Sequence, residues 1–141
     1  MKKYLSFSNI ITGFLILLAV LFFLYQKGYI LANFENLSPK EAYSLLKQKK
    51  EEFVILDVRT PQEVMEDGKI PGSILIPVDI LGNNIEKLEK FKNKKILVYC
   101  RSGNRSVAAS RILSSLGFKV YNLRGGINAW KEEGLPLEYK R

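Results

Sequence analysis

Residues 96–116 decide what kind of fold this chain can adopt. The run Ile96-Leu97-Val98-Tyr99 is apolar throughout, without the alternation of a half-exposed strand, so it reads as a strand buried on both faces. It passes through Cys100-Arg101-Ser102-Gly103-Asn104-Arg105-Ser106 into residues 107–116, where apolar side chains at 108, 109, 112, 113 and 116 recur at helical spacing. A doubly buried strand that feeds a helix belongs to a parallel sheet, because a helical crossover carries the chain back to the end where the next parallel strand starts.

The rest of the chain repeats that alternation. Ser38-Pro39-Lys40-Glu41 combines an N-cap serine, a first-turn proline and the glutamate of a capping box. A helix is expected from there to about Lys50, with Ala42, Leu45 and Leu46 inward. Phe53-Val54-Ile55-Leu56 reads as a strand ending at Asp57-Val58-Arg59, and residues 61–66 as a short helix stopped near Gly68. Ile70-Pro71-Gly72 turns into a strand over 73–76. Residues 79–92 are expected to be helical, with Ile80, Leu81, Ile85, Leu88 and Phe91 in the core and Gly82-Asn83-Asn84 interrupting the start. Gly117 caps the helix after the Cys100 loop. A last strand over 119–123, a turn at Gly125-Gly126 and a helix over 127–133 closed by Gly134 complete the pattern. The expected fold class is α/β: a mainly parallel central sheet with helices on both faces, preceded by one apolar N-terminal helix. The layout is an apolar segment at 1–27, a linker at 28–37 and the α/β domain at 38–141. Ligands of such sheets bind beyond the carboxyl ends of the strands. Asp57, Cys100 and Arg124 all stand at such ends.

The apolar segment has no place inside that domain. Residues 4–26 carry no charge, Ile10 to Tyr25 is interrupted only by Thr12 and Gly13, and Lys2, Lys3 and Lys27 flank the run. It has no polar face to turn to water. Two readings compete: an uncleaved signal anchor, and a secretory signal cleaved near Ile30-Leu31-Ala32. The long core and the lack of a small-x-small site just after it favour the anchor. Lys2, Lys3 and the terminal amine narrowly outweigh Lys27 and Lys40, which predicts a cytoplasmic N-terminus and a single-pass protein with its domain outside the cytoplasm. Cleavage would release the domain into the periplasm instead.

Composition closes off several chemistries. Histidine is absent, which excludes Cys-His and Ser-His-Asp machinery and any histidine metal site. Cys100 is the lone cysteine, so there is no intrachain disulfide, no C-x-x-C pair and no resolving thiol. The net charge is +8; three of the 22 basic residues flank the apolar run and all 14 acids follow it, leaving +5 on the remainder. That balance suits an anionic substrate or membrane surface. The lysines are scattered and no nucleic-acid-binding motif is present, so no nucleic-acid partner is expected.

Any activation of Cys100 must therefore come from backbone dipoles and arginines. The turn from strand to helix offers unpaired N–H groups and a positive dipole end, Arg101 and Arg105 add full charges, and Gly103 lets the backbone curl so that N–H groups converge. Such a cradle stabilises a thiolate and would hold an anion bonded to its sulfur.

The sequence Cys100-Arg101-Ser102-Gly103-Asn104-Arg105-Ser106 resembles the active-site loop of single-domain rhodaneses, sulfurtransferases that carry sulfur as a cysteine persulfide. Leu56-Asp57-Val58-Arg59-Thr60-Pro61-Gln62-Glu63, Ile70-Pro71-Gly72-Ser73-Ile74 and Leu123-Arg124-Gly125-Gly126-Ile127-Asn128-Ala129-Trp130 resemble the family's other motifs, in the family's order and over about residues 37–138. The resemblance implies the rhodanese fold, Cys100 as catalytic nucleophile and residues Arg101, Ser102, Gly103, Asn104 and Arg105 as the substrate-binding loop. It implies a small anionic donor such as thiosulfate, a cyanide or thiol acceptor, and no cofactor or metal. The spacing C-x4-R is one residue shorter than the C-x5-R of cysteine phosphatases and arsenate reductases, whose wider loop holds a tetrahedral oxyanion. Phosphatase or arsenate reductase activity, and a non-catalytic module that binds a partner or senses an oxidant, stand as the alternatives. Asp57 and Arg59 are expected to pair and fix the loops near the site. Lys69 stands where the family often has histidine. Trp130 is expected in the core.

Overall fold

The computed structural model describes residues 6–139. They fall into two compact units, divided between Ala32 and Asn33. In the first, helix α1 spans Phe7–Gln26, with the Ser6 hydroxyl accepting from the Asn9 N–H at 3.2 Å as its N-cap. Twenty residues at about 1.5 Å each give about 30 Å, the thickness of a bilayer's hydrocarbon core. None of its side chains is buried. It is long and apolar enough to cross a membrane.

The second unit is built on a five-stranded sheet in the order β1-β5-β4-β2-β3, every pair parallel. The strands are β1 Glu35–Leu37, β2 Phe53–Asp57, β3 Ile74–Leu75, β4 Lys95–Tyr99 and β5 Lys119–Leu123. The helices are α2 Pro39–Gln48, α3 Pro61–Asp67, α4 Val78–Leu81, α5 Asn104–Ser115 and α6 Gly126–Glu132. The pleat sorts the core into two clusters. Ile96, Val98 and Cys100 belong to one, with Leu56, Leu81, Ala109 and Leu113. Leu97 and Tyr99 belong to the other, with Ala42, Tyr121, Ile127 and Trp130.

Local signals in the sequence account for most boundaries. The capping box at Ser38 forms in both directions with Glu41, and Thr60 forms a second one with Glu63 at the start of α3. α5 ends in a Schellman turn: Gly117 takes φ +91° and the Phe118 N–H reaches the Leu113 carbonyl at 3.1 Å.

Three expectations are corrected. Residues 35–37, read as part of the linker, form β1; it pairs with β5 in register, Asn36 opposite Asn122, and the Asn122 Nδ2 donates to Asn36 Oδ1 at 2.9 Å. The single helix expected over 79–92 is α4 followed by two 3₁₀ turns, Ile85–Lys87 and Glu89–Phe91. The Asn84 amide donates to the Ile80 carbonyl at 2.7 Å, a side-chain bond that replaces helix continuation. Leu81 and Leu88 are still buried there, but Ile80 is exposed. The third concerns α5, which starts at Asn104 and buries Ser106, Val107, Ala109, Ser110 and Leu113, leaving Ala108, Ile112 and Leu116 exposed. Residues 106, 109, 110 and 113 make a regular helical stripe that two serines hide from a hydrophobic pattern.

Candidate active site

Cys100 follows the last residue of β4, the strand that lies between β5 and β2. It is 1% exposed. Two groups grip its sulfur. The Gly103 N–H donates to Sγ at 3.1 Å, and the thiol donates to Ser106 Oγ at 3.3 Å. Once the thiol loses its proton, the serine hydroxyl can reverse and donate to the thiolate. Gly103 reaches this position at φ +112°, a conformation that side chains other than glycine's rarely adopt.

The loop is aimed from behind by α6. The Ile127 N–H donates to the Cys100 carbonyl at 2.9 Å and the Asn128 N–H to the Arg101 carbonyl at 3.1 Å. In a trans peptide the C=O and N–H point in opposite directions, so the N–H groups of Arg101 and Ser102 are turned away from α6. Gly126 permits this approach. Its φ is +60°, and a Cβ there would press on the Cys100 carbonyl and lie 2.6 Å from the Arg101 carbonyl oxygen.

Arg105 is held in a fork: Nη1 meets Glu63 Oε1 at 2.6 Å and Nη2 meets Oε2 at 2.7 Å. The Arg105 hydrogen bonds, ahead of the Thr60 backbone bond, pull the Glu63 carboxyl down to about 2. Glu63 in return raises the Arg105 pKa, and negative charge on Cys100 adds to that effect. Arg101, Ser102 and Asn104 are exposed along the rim.

Asp57 and Arg59 lie at the end of β2 and immediately beyond it, and both are fully buried. The Arg59 Nε donates to Asp57 Oδ1 at 3.0 Å, and Nη2 donates to Oδ2 and to the Gly68 carbonyl, both at 2.7 Å. Tyr99 Oη donates to Asp57 Oδ2 at 2.8 Å and accepts from the Ile70 N–H at 3.1 Å. Burial first, and the Asp57 carboxylate second, raise the Tyr99 pKa and keep it a neutral donor. These bonds tie β2 and β4 to the Gly68–Ile70 loop and do not reach Cys100. Lys69, in that loop, points Nζ at the Ser73 carbonyl (3.5 Å) and pairs its backbone with Glu138, both bonds 2.8 Å. Arg124 is exposed at the end of β5, and its charge acts on Glu41. Trp130 is buried, with its Nε1 donating to the Pro136 carbonyl at 2.8 Å.

The six loop residues singled out from the sequence run from the end of β4 into the first turn of α5, and of residues 101–105 Gly103 is the one whose N–H bonds Sγ, while Asp57 and Arg59 form a separate buried pair. Sequence reasoning missed three contributors. Ser106 closed the loop motif and Glu63 closed the motif that begins at Leu56, but neither carried an assigned role, and Gly126 read as turn geometry alone.

The rhodanese-like domain family matches residues 38–133. The chain is 38% identical over 88 residues to a sulfurtransferase of Allochromatium vinosum, covering 62% of this chain and 79% of that protein. A rhodanese-related protein of Thermoplasma volcanium superposes with TM-score 0.69 at 36% identity, covering 76% of this chain and all of the other. A protein of Rhodopseudomonas palustris described as a possible tyrosine phosphatase superposes with TM-score 0.68 at 34% identity, over 74% of this chain and 85% of that one. A parallel sheet in this order, a cysteine loop at the end of its middle strand and a family match over most of the domain lead to one assignment: the chain belongs to the rhodanese-like family.

Proposed function

We propose that the protein is a membrane-anchored sulfurtransferase that works through a persulfide on Cys100. The observation that carries this reading is the sulfur's setting: a lone cysteine, 1% exposed, with the Gly103 N–H at 3.1 Å and a C-x4-R loop curled around it. The Cys100 thiolate attacks the sulfane sulfur of a donor such as thiosulfate. A new S–S bond forms, the bond to the sulfonate group breaks, and sulfite leaves with the bonding electrons. An acceptor, cyanide or a small thiolate, then attacks the outer sulfur and restores the Cys100 thiolate, with thiocyanate or a small persulfide as product. This is double-displacement covalent catalysis. Loop N–H groups, the Gly103 N–H foremost, hold the negative charge of the persulfide, and the scheme as proposed draws on no metal or organic cofactor. Arg101, exposed at the rim, is the residue that draws an anionic donor in.

The phosphatase reading has a specific observation in its favour, the similarity to the Rhodopseudomonas palustris protein. Against it stands the loop, which has four residues between Cys100 and Arg105, and a guanidinium whose fork is already filled by Glu63. One assay separates the two: the chain should turn over thiosulfate with cyanide and fail to hydrolyse an aryl phosphate. The reverse result would assign the phosphatase. For location, α1 serves as a signal anchor with its N-terminus in the cytoplasm and the domain outside. A reporter fused after residue 141 tests this; a cytoplasmic signal would reverse the orientation.

A further inference from the structure

Glu63 does more than a capping residue needs. In the first turn of α3 its N–H donates to Thr60 Oγ1 at 3.2 Å, and its Oε1 accepts from the Thr60 N–H at 3.2 Å. One carboxyl oxygen suffices for that box, and a glutamine would close it as well. Glu63 instead turns both oxygens to the two Nη atoms of Arg105, at 2.6 and 2.7 Å. α3 follows β2 and α5 follows β4, and these strands are neighbours in the sheet. The fork therefore joins the starts of two helices beside the Cys100 loop.

The pair has an electrostatic consequence at the sulfur. Arg101 and Arg105 are the two arginines of the loop. Arg101 is exposed at the rim, where water weakens its field. Arg105 is within Coulombic reach of Cys100, since negative charge on the sulfur acts on it. With Glu63 in its fork, that guanidinium and its counter-ion together bring no net charge to the site. Asp57 is neutralised by Arg59 in the same manner. The bond to Sγ comes from the Gly103 N–H, a dipole and not an ion. A thiolate in this setting repels a doubly charged donor about twice as strongly as a singly charged one.

From this geometry we infer that Glu63 is a specificity-determining residue: by cancelling the charge of Arg105 beside Cys100, it biases the site against doubly charged sulfane-sulfur donors and toward singly charged ones. The inference rests on the persulfide mechanism proposed above and concerns the donor class of that same site. Thiosulfate and the methanethiosulfonate anion isolate the effect, because they present the same terminal sulfur with two negative charges and with one. In each the Cys100 thiolate bonds to that sulfur, the S–S bond breaks, and sulfite or methanesulfinate leaves with the bonding electrons.

The test measures kcat/KM of the full chain in detergent for both donors, with cyanide as acceptor, and reads the ratio of thiosulfate to methanethiosulfonate. Glu63→Gln keeps the capping box and leaves the pair with a positive charge, so the ratio should rise several-fold. Glu63→Asp keeps the charge and should keep the wild-type ratio. Arg105→Ala leaves the carboxylate bare, so the ratio should fall several-fold; adding Glu63→Gln to it should bring the ratio back. Raising the salt concentration should shrink all of these differences. A purely structural Glu63 would change the rates with both donors alike. An unmoved ratio in Glu63→Gln would therefore overturn the inference, whatever the overall rate. Should Glu63→Gln fail to fold, the same ratio in Arg105→Ala and in the double variant would overturn it. A wild-type chain that takes sulfur from neither donor would instead overturn the sulfurtransferase reading itself.

Discussion

Tyr99 and Cys100 are consecutive residues that the pleat sends to opposite faces of the sheet, and each organises a polar network there. On the Tyr99 side the charges are sealed: Asp57 and Arg59 are at most 1% exposed and neutralise one another through a bidentate pair. On the Cys100 side Arg101 is exposed and its charge faces water, while Arg105 forms a bidentate pair with Glu63 that is only partly buried, its side chain 35% exposed. The sulfur receives an N–H bond instead of a counter-ion. A sealed pair fixes geometry, because breaking it strands a charge in the interior. An open rim of positive charge around a nucleophile suits an incoming anion. The same strand end thus supplies stiffness on one face and, on the other, the site of the proposed chemistry.

The sharpest way to break this contrast is at the nucleophile. Cys100→Ser should reduce sulfur transfer to background while the unfolding midpoint stays close to wild type, since the hydroxyl fits the site but is a far weaker nucleophile than a thiolate. Near-normal turnover would remove Cys100 from the mechanism. The opposite outcome is expected at Arg59. Arg59→Ala leaves the Asp57 carboxylate buried without its partner and should cost about 3–5 kcal/mol of stability in a denaturant titration. Activity per folded molecule should fall only a few-fold. A stable variant that had lost its chemistry would place Arg59 in the reaction.

Arg105 joins the two regimes and should show an intermediate effect. Arg105→Ala should lower kcat/KM about tenfold, corresponding to about 1.4 kcal/mol of transition-state stabilisation. Lys69→Ala should lower it less, because Lys69 belongs to the loop on the sealed side. Equal losses would mean that the pocket lies elsewhere.

The smallest effect concerns acid. Glu63 titrates near 2 in the folded protein against an ordinary value of 4.5, so its ion pair stabilises the fold fully above about pH 4.5. That contribution is lost as pH falls from 4.5 through 2. The pair is partly exposed, so the loss should be about 1 kcal/mol. Glu63→Gln should flatten this part of the stability profile measured by denaturant titration. An unchanged acid limb would show that the ion pair contributes nothing to folding.

What could be read in the sequence follows the range of the forces involved. The strands β2, β4 and β5, the helix start at Ser38 and the glycine stops are local signals, and the alternation of elements points to the parallel α/β class. β1 could not be read, because Glu35-Asn36-Leu37 has no strand pattern of its own; it is a strand only because Asn122 and its neighbours in β5 pair with it. The face of α5 is hidden from a hydrophobic pattern because Ser106, against Sγ, and Ser110 are buried in its inward stripe, and hydropathy does not register a buried serine. Cys100 and the loop proposed to serve it are legible as a contiguous motif. Glu63 was not, since it lies 42 residues from Arg105 and the sheet brings them together. Gly126 was legible as a turn, but its reason for being glycine is the Cys100 carbonyl packed against it.

The central claim is that Cys100 carries sulfur covalently between two half-reactions, and the intermediate itself can be weighed. The full chain in detergent, incubated with thiosulfate and no acceptor and then digested, should carry the mass of one added sulfur atom on the Cys100 peptide. Cyanide should remove that mass and release thiocyanate. The adduct should persist, because loop N–H groups stabilise its charge and there is no second cysteine to resolve it within the chain. A Cys100 that stays unmodified with thiosulfate, with polysulfide and with persulfidated small thiols alike would contradict the account.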